Sequence, residues 1–242
     1  MWYLVVLMIV ACAGFAPDAG TSRHAAAVPT PDEAWELVKN EGGIAVYNRT
    51  PKGKDYSEYK GVVRFKASLA GVVSLLEDIR SYPSWLYTCH EARVLKNGKP
   101  GERYVHFVYD VPVYSNRDAV MRSCASRRAD GNGATIRFSR VDLSQTAPFF
   151  RHASTTRDDG NEYVKELSVT WQLTRIGNEV EVMYSIYLDP DIGFPGSLRV
   201  NATTEGLVFE SLKKMRGKLG ESVYLNASPR VVEALPVNAP CS

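Results

Sequence analysis

The sequence lacks an excess of charge of either sign. It carries 29 lysine and arginine residues against 27 aspartate and glutamate residues, for a net charge of +2, and the basic residues are scattered among the acidic ones. Binding to nucleic acid needs a clustered basic surface that neutralises several phosphates. The charge balance therefore excludes a nucleic acid as the partner, while the apolar fraction is that of a globular protein with a core.

The sequence also lacks the short motifs of common catalytic sites. It contains no GxSxG, no HExxH and no glycine-rich phosphate loop opening a helix. Cysteine is scarce, and no CxxC or Cys/His spacing suggests zinc. A nucleophile–base pair of Cys89 and His106 is conceivable, whereas His90, which adjoins Cys89, would face the other side of an extended strand. We therefore predict no enzyme, no catalytic residue, no metal site and no cofactor.

No apolar run is long enough to span a bilayer, which takes roughly 20 residues. The first apolar run stops at Pro17, and small residues follow it up to Ala27. This pattern predicts a signal peptide over residues 1–27, and hence a periplasmic or secreted protein. The residues that end at Cys12 also resemble the lipobox of bacterial lipoproteins, so membrane attachment through a lipid on Cys12 is the alternative.

Three cysteines remain beyond this leader, namely Cys89, Cys124 and Cys241. Cys89 and Cys124 each lie in or beside a predicted strand, and an exported protein meets oxidising conditions. We therefore predict a disulfide between them. The alternative is that both are small buried side chains without a bond.

The first third of the chain predicts a helix, a hairpin and a second helix. Asp32 ahead of Trp35 can cap a short first helix that ends near Gly42. Residues 44–49 and 56–66 are rich in β-branched and aromatic side chains around a Pro-Lys-Gly turn, which predicts a β-hairpin. Apolar residues then follow at helical spacing over residues 69–79, before a Pro83 that ends the helix.

The middle of the chain consists of strand-like runs that are separated by Asn-Gly, Asp-Gly and Gly-Asn turns. Adjacent strands that are joined by such turns form an antiparallel meander. The clearest run alternates apolar and polar residues from Leu167 to Thr174, which indicates a sheet with one apolar face. The predicted strands cover residues 92–96, 103–109, 118–126, 135–142, 163–174 and 180–188.

The end of the chain predicts a long helix and a tail. Residues 195–219 are amphipathic, with one apolar stripe that can cover the sheet. After Gly220 the composition turns to Asn, Ala, Ser and Pro, which predicts a flexible tail over residues 221–242. The predicted fold class is α+β, a curved antiparallel sheet wrapped around a long C-terminal helix.

This order of elements resembles the helix-grip fold of START (StAR-related lipid transfer) domains. Four stretches carry the resemblance, and two of them stand at the junctions where the family has its signatures. They are the GIAVY run at residues 43–47, the YPSW run at 82–85, the SNRD run at 115–118 and the DPDIGFPGSL run at 189–198, which is followed by Asn201.

The resemblance implies a single START-like lipid-binding domain over residues 31–220, with an internal apolar tunnel and no catalytic role. It implies a monomer that binds a lipid or other hydrophobic small molecule, with transient membrane contact, for lipid transfer or sensing in the cell envelope of a bacterium. One alternative is a hydrolase or cyclase on the same scaffold. Another is a membrane-tethered interaction module without a ligand.

The resemblance also suggests which residues line the tunnel. Many START domains carry a charged group inside it on the strand after the "RD" pair; here Ser123 stands at the inner position and Arg122 points away, which favours a neutral or weakly polar ligand. Asn201 and Glu205 interrupt the apolar stripe of the last helix, so we expect them at the polar end. The predicted ligand-binding residues are Met121, Ser123, Val169, Trp171, Tyr184, Ile186, Leu198, Asn201, Glu205 and Val208.

Overall fold

The computed structural model of the chain describes residues 34–110, 115–141, 162–192 and 196–239. The predicted signal peptide and Cys12 lie outside these residues. The strands are Glu36–Glu41 (β1), Ile44–Arg49 (β2), Glu58–Phe65 (β3), Cys89–Asn97 (β4), Glu102–Tyr109 (β5), Arg117–Arg127 (β6), Gly133–Arg140 (β7), Glu162–Tyr163 (β8), Glu166–Ile176 (β9) and Glu179–Asp189 (β10). The helices are Leu69–Glu77 (α1), Gly196–Lys218 (α2), Ser222–Leu225 (α3) and Arg230–Glu233 (α4), with a 3₁₀ turn at Ile79–Ser84.

The described strands form one open, curved sheet in the order β1-β2-β3-β10-β9-β7-β6-β5-β4. All neighbours in this order are antiparallel, and the short β8 pairs in parallel with the start of β6. The tight turns between β6 and β7 and between β9 and β10 are the Asp-Gly and Gly-Asn turns of the sequence. The predicted hairpin, meander and long last helix are confirmed.

The predicted first helix is wrong, because residues 36–41 form the edge strand β1. β1 pairs with β2 as far as Glu41 opposite Ile44. Gly42 and Gly43 between them both have positive φ, at 58° and 75°, as a two-residue hairpin turn requires. In the sequence alone this Gly-Gly pair predicts the end of a helix, whereas in the structure it joins two strands.

Helix α1 and the 3₁₀ turn close one end of the sheet. The Ser68 hydroxyl caps α1 by accepting a hydrogen bond from the Gly71 amide at 3.0 Å, and such a cap stabilises a helix by about 1 kcal/mol. In the 3₁₀ turn, the Tyr82 hydroxyl donates to the Leu76 carbonyl at 2.8 Å. These bonds hold Tyr82 and the following Trp85 against the interior of the sheet.

Helix α2 lies across β2, β3 and β10. At its closest approach it meets Gly61 in β3, where an added Cβ would stand 2.6 Å from a Val208 methyl and 2.5 Å from a Leu212 methyl. Both of these side chains are fully buried. The absence of a side chain at Gly61 therefore sets how closely the helix seats on the sheet. At the far end of α2, Arg216 donates to the carbonyl of Gly42 at 2.8 Å.

The predicted flexible tail is wrong for residues 221–239. This segment forms α3 and α4, both of which pack on α1, and it buries Tyr224, Val232 and Leu235. The Tyr224 hydroxyl donates to an Asp78 carboxylate oxygen at 2.9 Å. Three well-placed apolar side chains anchor a segment whose average composition is polar.

The predicted disulfide between Cys89 and Cys124 is wrong. Cys89 is a free, buried thiol, whereas Cys124 is disulfide-bonded to a partner outside the described residues. Cys89 stands opposite Tyr109 and Cys124 opposite Glu102, so they lie at opposite ends of β5. Two cysteines on one sheet need not be close, because a bond requires Cα atoms within about 7 Å.

Two further features concern only the part of the chain that the structure describes. No helix there combines the length and apolar character that crossing a bilayer requires. No group of His, Cys, Asp and Glu side chains in those residues is arranged to hold a metal ion.

Candidate functional site: the interior of the helix grip

The register of the sheet defines its inner face. One row of directly opposed residues crosses it from Ile136 through Trp171 and Tyr184 to Gly61, and residues that are directly opposed share a face. The next row contains Ser123, which is followed by Phe138, Val169 and Ile186. These side chains point toward α2 and the 3₁₀ turn, which cover this face.

Aromatic rings fill the centre of the inner face. Trp171 and Tyr184 stack with centroids 3.9 Å apart and planes 3° from parallel, and Trp85 meets the edge of Trp171 at 5.9 Å. Such pairs add about 0.5–1.5 kcal/mol beyond the area that they bury. The aromatic cluster therefore gives this part of the core a rigid wall.

A small cavity of about 10 Å³ remains among these rings. Its volume suits about one water molecule and is far below the roughly 300–1,000 Å³ of a drug-sized ligand site. A lipid can therefore enter this part of the interior only if the lining side chains move. The lining residues are Tyr82, Leu86, Phe107, Tyr109, Phe138, Val169, Trp171 and Tyr184.

Three tyrosines line this cavity, and the Cys89 thiol lies on the same face of the sheet, opposite Tyr109. Burial raises the pKa of Tyr82, Tyr109 and Tyr184 well above the usual range. Burial likewise raises the pKa of the Cys89 thiol to about 12. All four groups are therefore protonated at neutral pH, so they can donate hydrogen bonds but carry no charge.

An ion pair lies at the α1 end of the interior. The Arg103 guanidinium contacts the Glu77 carboxylate and donates to the Glu77 carbonyl at 2.7 Å. Burial raises the pKa of Glu77, and the positive charge of Arg103 partly offsets this rise. The two opposite charges neutralise each other beside Tyr82.

The structure brings part of the predicted lining together. Val169, Trp171 and Tyr184 line the cavity. Met121, Ser123 and Ile186 are buried on the same face of the sheet but outside the lining of this cavity. The side chain of Leu198 lies outside the described residues.

The predicted residues of the last helix have contacts of other kinds. The Asn201 side chain accepts a hydrogen bond from the Ser57 amide at 3.1 Å and so ties α2 to the start of β3. Glu205 lies close enough to Tyr59 to raise its pKa, although burial is the main cause of that rise. Val208 packs against Gly61. Each of the three therefore has a contact within the fold itself.

Arg122 points away from the interior, as the strand alternation predicts. It pairs with Glu102 at 2.6 Å on the outer face of the sheet, while Ser123 is buried on the inner face. The strand after the "RD" pair thus presents a small neutral side chain to the interior.

The Cys89 and His106 pair does not form a nucleophile–base arrangement. Cys89 stands opposite Tyr109 and therefore shares the inner face, whereas His106 is an odd number of residues from Tyr109 and faces outward. There His106 accepts a hydrogen bond from Arg93 at 3.2 Å. A thiol whose pKa is about 12 also has almost no nucleophilic thiolate at neutral pH.

The SNRD and DP motifs contact each other and act as a structural clamp. Arg117 donates to the Pro190 carbonyl at 3.0 Å and pairs with Glu162 at 2.8 Å. Asp189 pairs with Lys165 at 3.2 Å. The buried bond from Arg117 to Pro190 joins the start of β6 to the end of β10, so the two motifs hold these strands together.

The predicted lining omitted Tyr82, Leu86, Phe107, Tyr109 and Phe138. Phe107 and Tyr109 alternate along a predicted strand, so they must share one face. The sequence did not indicate which face this is, because the opposite face carries the apolar Val108, and both Val108 and His106 are buried there. Strand alternation could have paired these residues but could not have assigned them to the interior.

Comparisons with known proteins agree with this architecture. No family model matches the chain. An uncharacterised protein of Pseudomonas aeruginosa is 28% identical over 186 residues, which cover 76% of this chain and 86% of that protein. The crystal structure of a STAR-related lipid transfer protein fragment from Xanthomonas axonopodis is 27% identical with a TM-score of 0.65, and the match covers 77% of this chain and 99% of that one.

Human START proteins share the fold at lower identity. Human STARD10 is 16% identical with a TM-score of 0.62, over 90% of this chain and 94% of that one. Human StAR-related lipid transfer protein 5 is 11% identical with the same TM-score, over 76% and 85%. Together with the curved sheet, the covering C-terminal helix and the bacterial neighbour, these matches show that the chain has the helix-grip fold of START (StAR-related lipid transfer) domains.

Proposed function

We propose that this protein binds a lipid or other hydrophobic small molecule inside the helix grip, for lipid transfer or sensing in the cell envelope. The supporting observation is the aromatic inner face of the sheet, which lines a small cavity together with the 3₁₀ turn. Burial of apolar ligand surface contributes roughly 25 cal/mol per Å², so enclosure alone can drive binding. Because the cavity is small, the ligand enters when the covering elements move apart.

Mass spectrometry of organic extracts from the purified protein tests this proposal. We expect a hydrophobic molecule at about one equivalent per chain. Val169→Phe adds a ring to the cavity wall and should reduce the bound amount, whereas Ser168→Phe adds the same ring on the exposed face of β9 and should not. Thermal unfolding of both variants verifies that they fold. Empty extracts, together with no uptake of added lipid, would favour an interaction module without a ligand.

We propose that the protein acts without catalysis. The inward thiol has a strongly raised pKa and the buried histidine faces the other side of the sheet, so the described residues offer no activated cysteine. Turnover of any member of a panel of acyl esters, above the rate of a heat-denatured sample, would instead favour the hydrolase alternative.

We propose export to the periplasm or the outside of the cell, with residues 1–27 as the signal peptide. The disulfide at Cys124 supports this proposal, because such bonds persist in oxidising compartments. Cell fractionation and N-terminal sequencing test it, and an unprocessed chain in the cytoplasm would refute it. A membrane-bound form that carries lipid on Cys12 would favour the lipoprotein alternative.

We propose that the protein is a monomer that touches anionic membranes transiently through the end of α2. Lys213, Lys214 and Arg216 are exposed there, and Arg216 shares a surface groove with the exposed Leu225. Each basic residue near an anionic surface contributes about 1 kcal/mol. Replacing Lys213 and Lys214 by Gln should weaken binding to phosphatidylglycerol vesicles about fivefold per residue.

Vesicle co-sedimentation at two salt concentrations measures this effect, with Lys99→Gln as the control on another surface. Equal binding by all variants, or equal binding to neutral phosphatidylcholine vesicles, would contradict an electrostatic contact through Lys213 and Lys214. Size-exclusion chromatography with light scattering tests the monomer.

A further inference from the structure

A groove with a volume of about 520 Å³ lies at the hairpin end of the sheet, and its described lining residues are all different from those of the aromatic cavity. The groove is bounded by the start of α1, by the β6–β7 and β9–β10 turns and by the C-terminal segment around α4. Its volume lies within the range of roughly 300–1,000 Å³ of small-molecule sites. The groove is therefore large enough for a second ligand.

Two arginines of the sheet line this groove from the same face. Arg127 ends β6 opposite Ala134, which in turn stands opposite Leu173, and Arg175 follows two positions after Leu173 on β9. Directly opposed residues share a face, and so do residues two positions apart on a strand. Both arginines therefore extend the inner face of the sheet beyond the core. The residue between them on β7 is the small Ala134, which leaves room beside the two arginine side chains.

The Arg127 side chain has a buried nitrogen without a partner. Three buried side-chain nitrogens in the described residues form no hydrogen bond, namely His106 Nε2, Arg122 Nε and Arg127 Nε. The first lies 3.7 Å from the Asp118 carboxylate and the second lies 2.6 Å from the Glu102 carboxylate. Arg127, in contrast, pairs with no carboxylate in this part of the chain. A buried charged donor without an acceptor is unfavourable, and an anion in the groove can supply the acceptor.

The other charges around the groove leave the two arginines unpaired. Arg175 is exposed and forms no ion pair with the described residues. The acidic residues that line the groove are Glu179 and Glu233. Strand alternation places Glu179 on the outer face, because the next residue, Val180, is buried on the inner one. Glu233 is exposed on α4, where water and salt screen its charge.

The start of α1 also favours an anion in this groove. Ser68, Leu69 and Ala70 line it, and the first turn of this nine-residue helix contains no acidic side chain. The N-terminal end of a helix carries a partial positive charge that stabilises a nearby anion. The apolar Pro229 and Val232 line the groove as well, and such side chains suit the hydrocarbon part of an organic anion.

We propose that this groove is a second ligand site, in which Arg127 and Arg175 bind the carboxylate or phosphate group of a small organic anion beside the start of α1. Guanidinium groups donate paired hydrogen bonds to these anions, so the buried Nε of Arg127 gains an acceptor when the anion binds. The site goes beyond the proposed lipid-binding function, because it lies outside the aromatic cavity.

Calorimetric titration with phenyl phosphate and with benzoate tests this site, and benzyl alcohol is the uncharged control probe. The variants are Arg127→Gln, Arg175→Gln and Arg127→Lys, of which the last keeps the positive charge but lacks the Nε donor. Arg128→Gln is the matched control, because it removes one positive charge from an exposed neighbour that already pairs with Asp130. Thermal unfolding of each variant verifies that it folds.

We expect the wild-type protein to bind about one equivalent of phenyl phosphate or benzoate and not to bind benzyl alcohol. The affinity should fall about ten- to hundredfold in Arg127→Gln, because a partly buried hydrogen bond to a charged group is lost. Arg127→Lys should lose less. Arg175→Gln should lose about two- to fivefold, because exposed ion pairs contribute less. Arg128→Gln should bind as the wild type does.

Phosphatidylglycerol vesicles distinguish a lipid head group from a soluble molecule as the source of the anion. If phenyl phosphate or benzoate binds in solution and Arg127→Gln weakens this binding, the ligand is a soluble anion. If Arg127→Gln weakens only the binding of vesicles, while Arg128→Gln does not, the anion is the phosphate of a lipid head group.

Two results would overturn the proposal: no effect of Arg127→Gln with any of the three anionic probes, including the case in which none of them binds, or an equal loss in Arg128→Gln, which would indicate net charge alone. These results are separate from the proposed function. A hydrophobic molecule in the organic extracts would support lipid binding even if the anion site fails, and empty extracts would leave the anion site intact.

Discussion

The contact between Gly61 and helix α2 offers a direct test of how the helix seats on the sheet. In Gly61→Ala the new methyl would stand 2.5 Å from Leu212 and 2.6 Å from Val208, whereas carbon atoms in contact normally lie about 3.5–4.0 Å apart. Both neighbours are fully buried, so neither side chain can turn away into solvent. We expect the free energy of unfolding to fall by about 1–3 kcal/mol, as for other overpacked cores.

A compensating change identifies the cause. Val208→Ala alone removes two buried methyl groups, at about 0.8 kcal/mol each plus a cavity penalty. In the double variant the methyl group that Gly61→Ala introduces can occupy the space that Val208 leaves. We therefore expect the double variant to lose less stability than the sum of the single variants, by about 1 kcal/mol, because residues in contact couple.

Urea unfolding followed by far-ultraviolet circular dichroism, with the disulfide intact, measures all four proteins. The control is Gly217→Ala at an exposed position of α2, where an added Cβ meets nothing within 4 Å. This control should gain about 0.5–1 kcal/mol, because alanine favours a helix over glycine. A Gly61→Ala protein as stable as the wild type, or strictly additive losses, would refute the reasoning.

Cys89, the C-terminal segment and Asn201 each offer a separate test. Cys89 should resist alkylation at pH 8 in the native protein, because burial raises its thiol pKa to about 12, and it should react once the protein is denatured. Cys124 should react only after reduction. Peptide mapping by mass spectrometry distinguishes these outcomes, and labelling of Cys89 in the native protein would contradict its burial. Leu235→Ala should lower the free energy of unfolding by about 2–5 kcal/mol, as urea titration would show, whereas a mobile tail would give no change. Asn201→Ala should lower the free energy of unfolding by about 1 kcal/mol, because it leaves the Ser57 amide without its acceptor. Lipid affinity in a binding titration should not change. A loss of affinity at constant stability would instead make Asn201 a ligand contact.

Much of the fold could be predicted from the sequence, because the relevant signals are local. The alternation from Leu167 to Thr174 already defines the two faces of β9, the Asn178 turn joins β9 to β10, and the Asp130 turn joins β6 to β7. The apolar stripe that contains Val208 and Leu212 identifies the covering helix. Each of these signals depends on residues a few positions apart, and the local backbone geometry has the same period.

Local signals were misleading where two interpretations compete. The Gly42-Gly43 pair can end a helix or turn a hairpin, and only pairing of residues 36–41 with β2 decides between them. The polar composition after Gly220 predicted disorder, but Tyr224 and Leu235 find apolar contacts on α1. A composition average cannot detect such contacts, because it does not contain the surface on which a segment packs.

The residues alone predict most of the strands, the turns between them, the covering helix and the resemblance to START domains. Three features depend on how the sheet bends and packs: which of its faces is the interior, the separation of Cys89 from Cys124, and the meeting of Tyr109 and Tyr184 at one cavity although β6, β7 and β9 separate their strands. The physical reason is curvature. Distances across a bent sheet depend on the accumulated twist of every strand between two residues, and no short stretch of sequence encodes that sum.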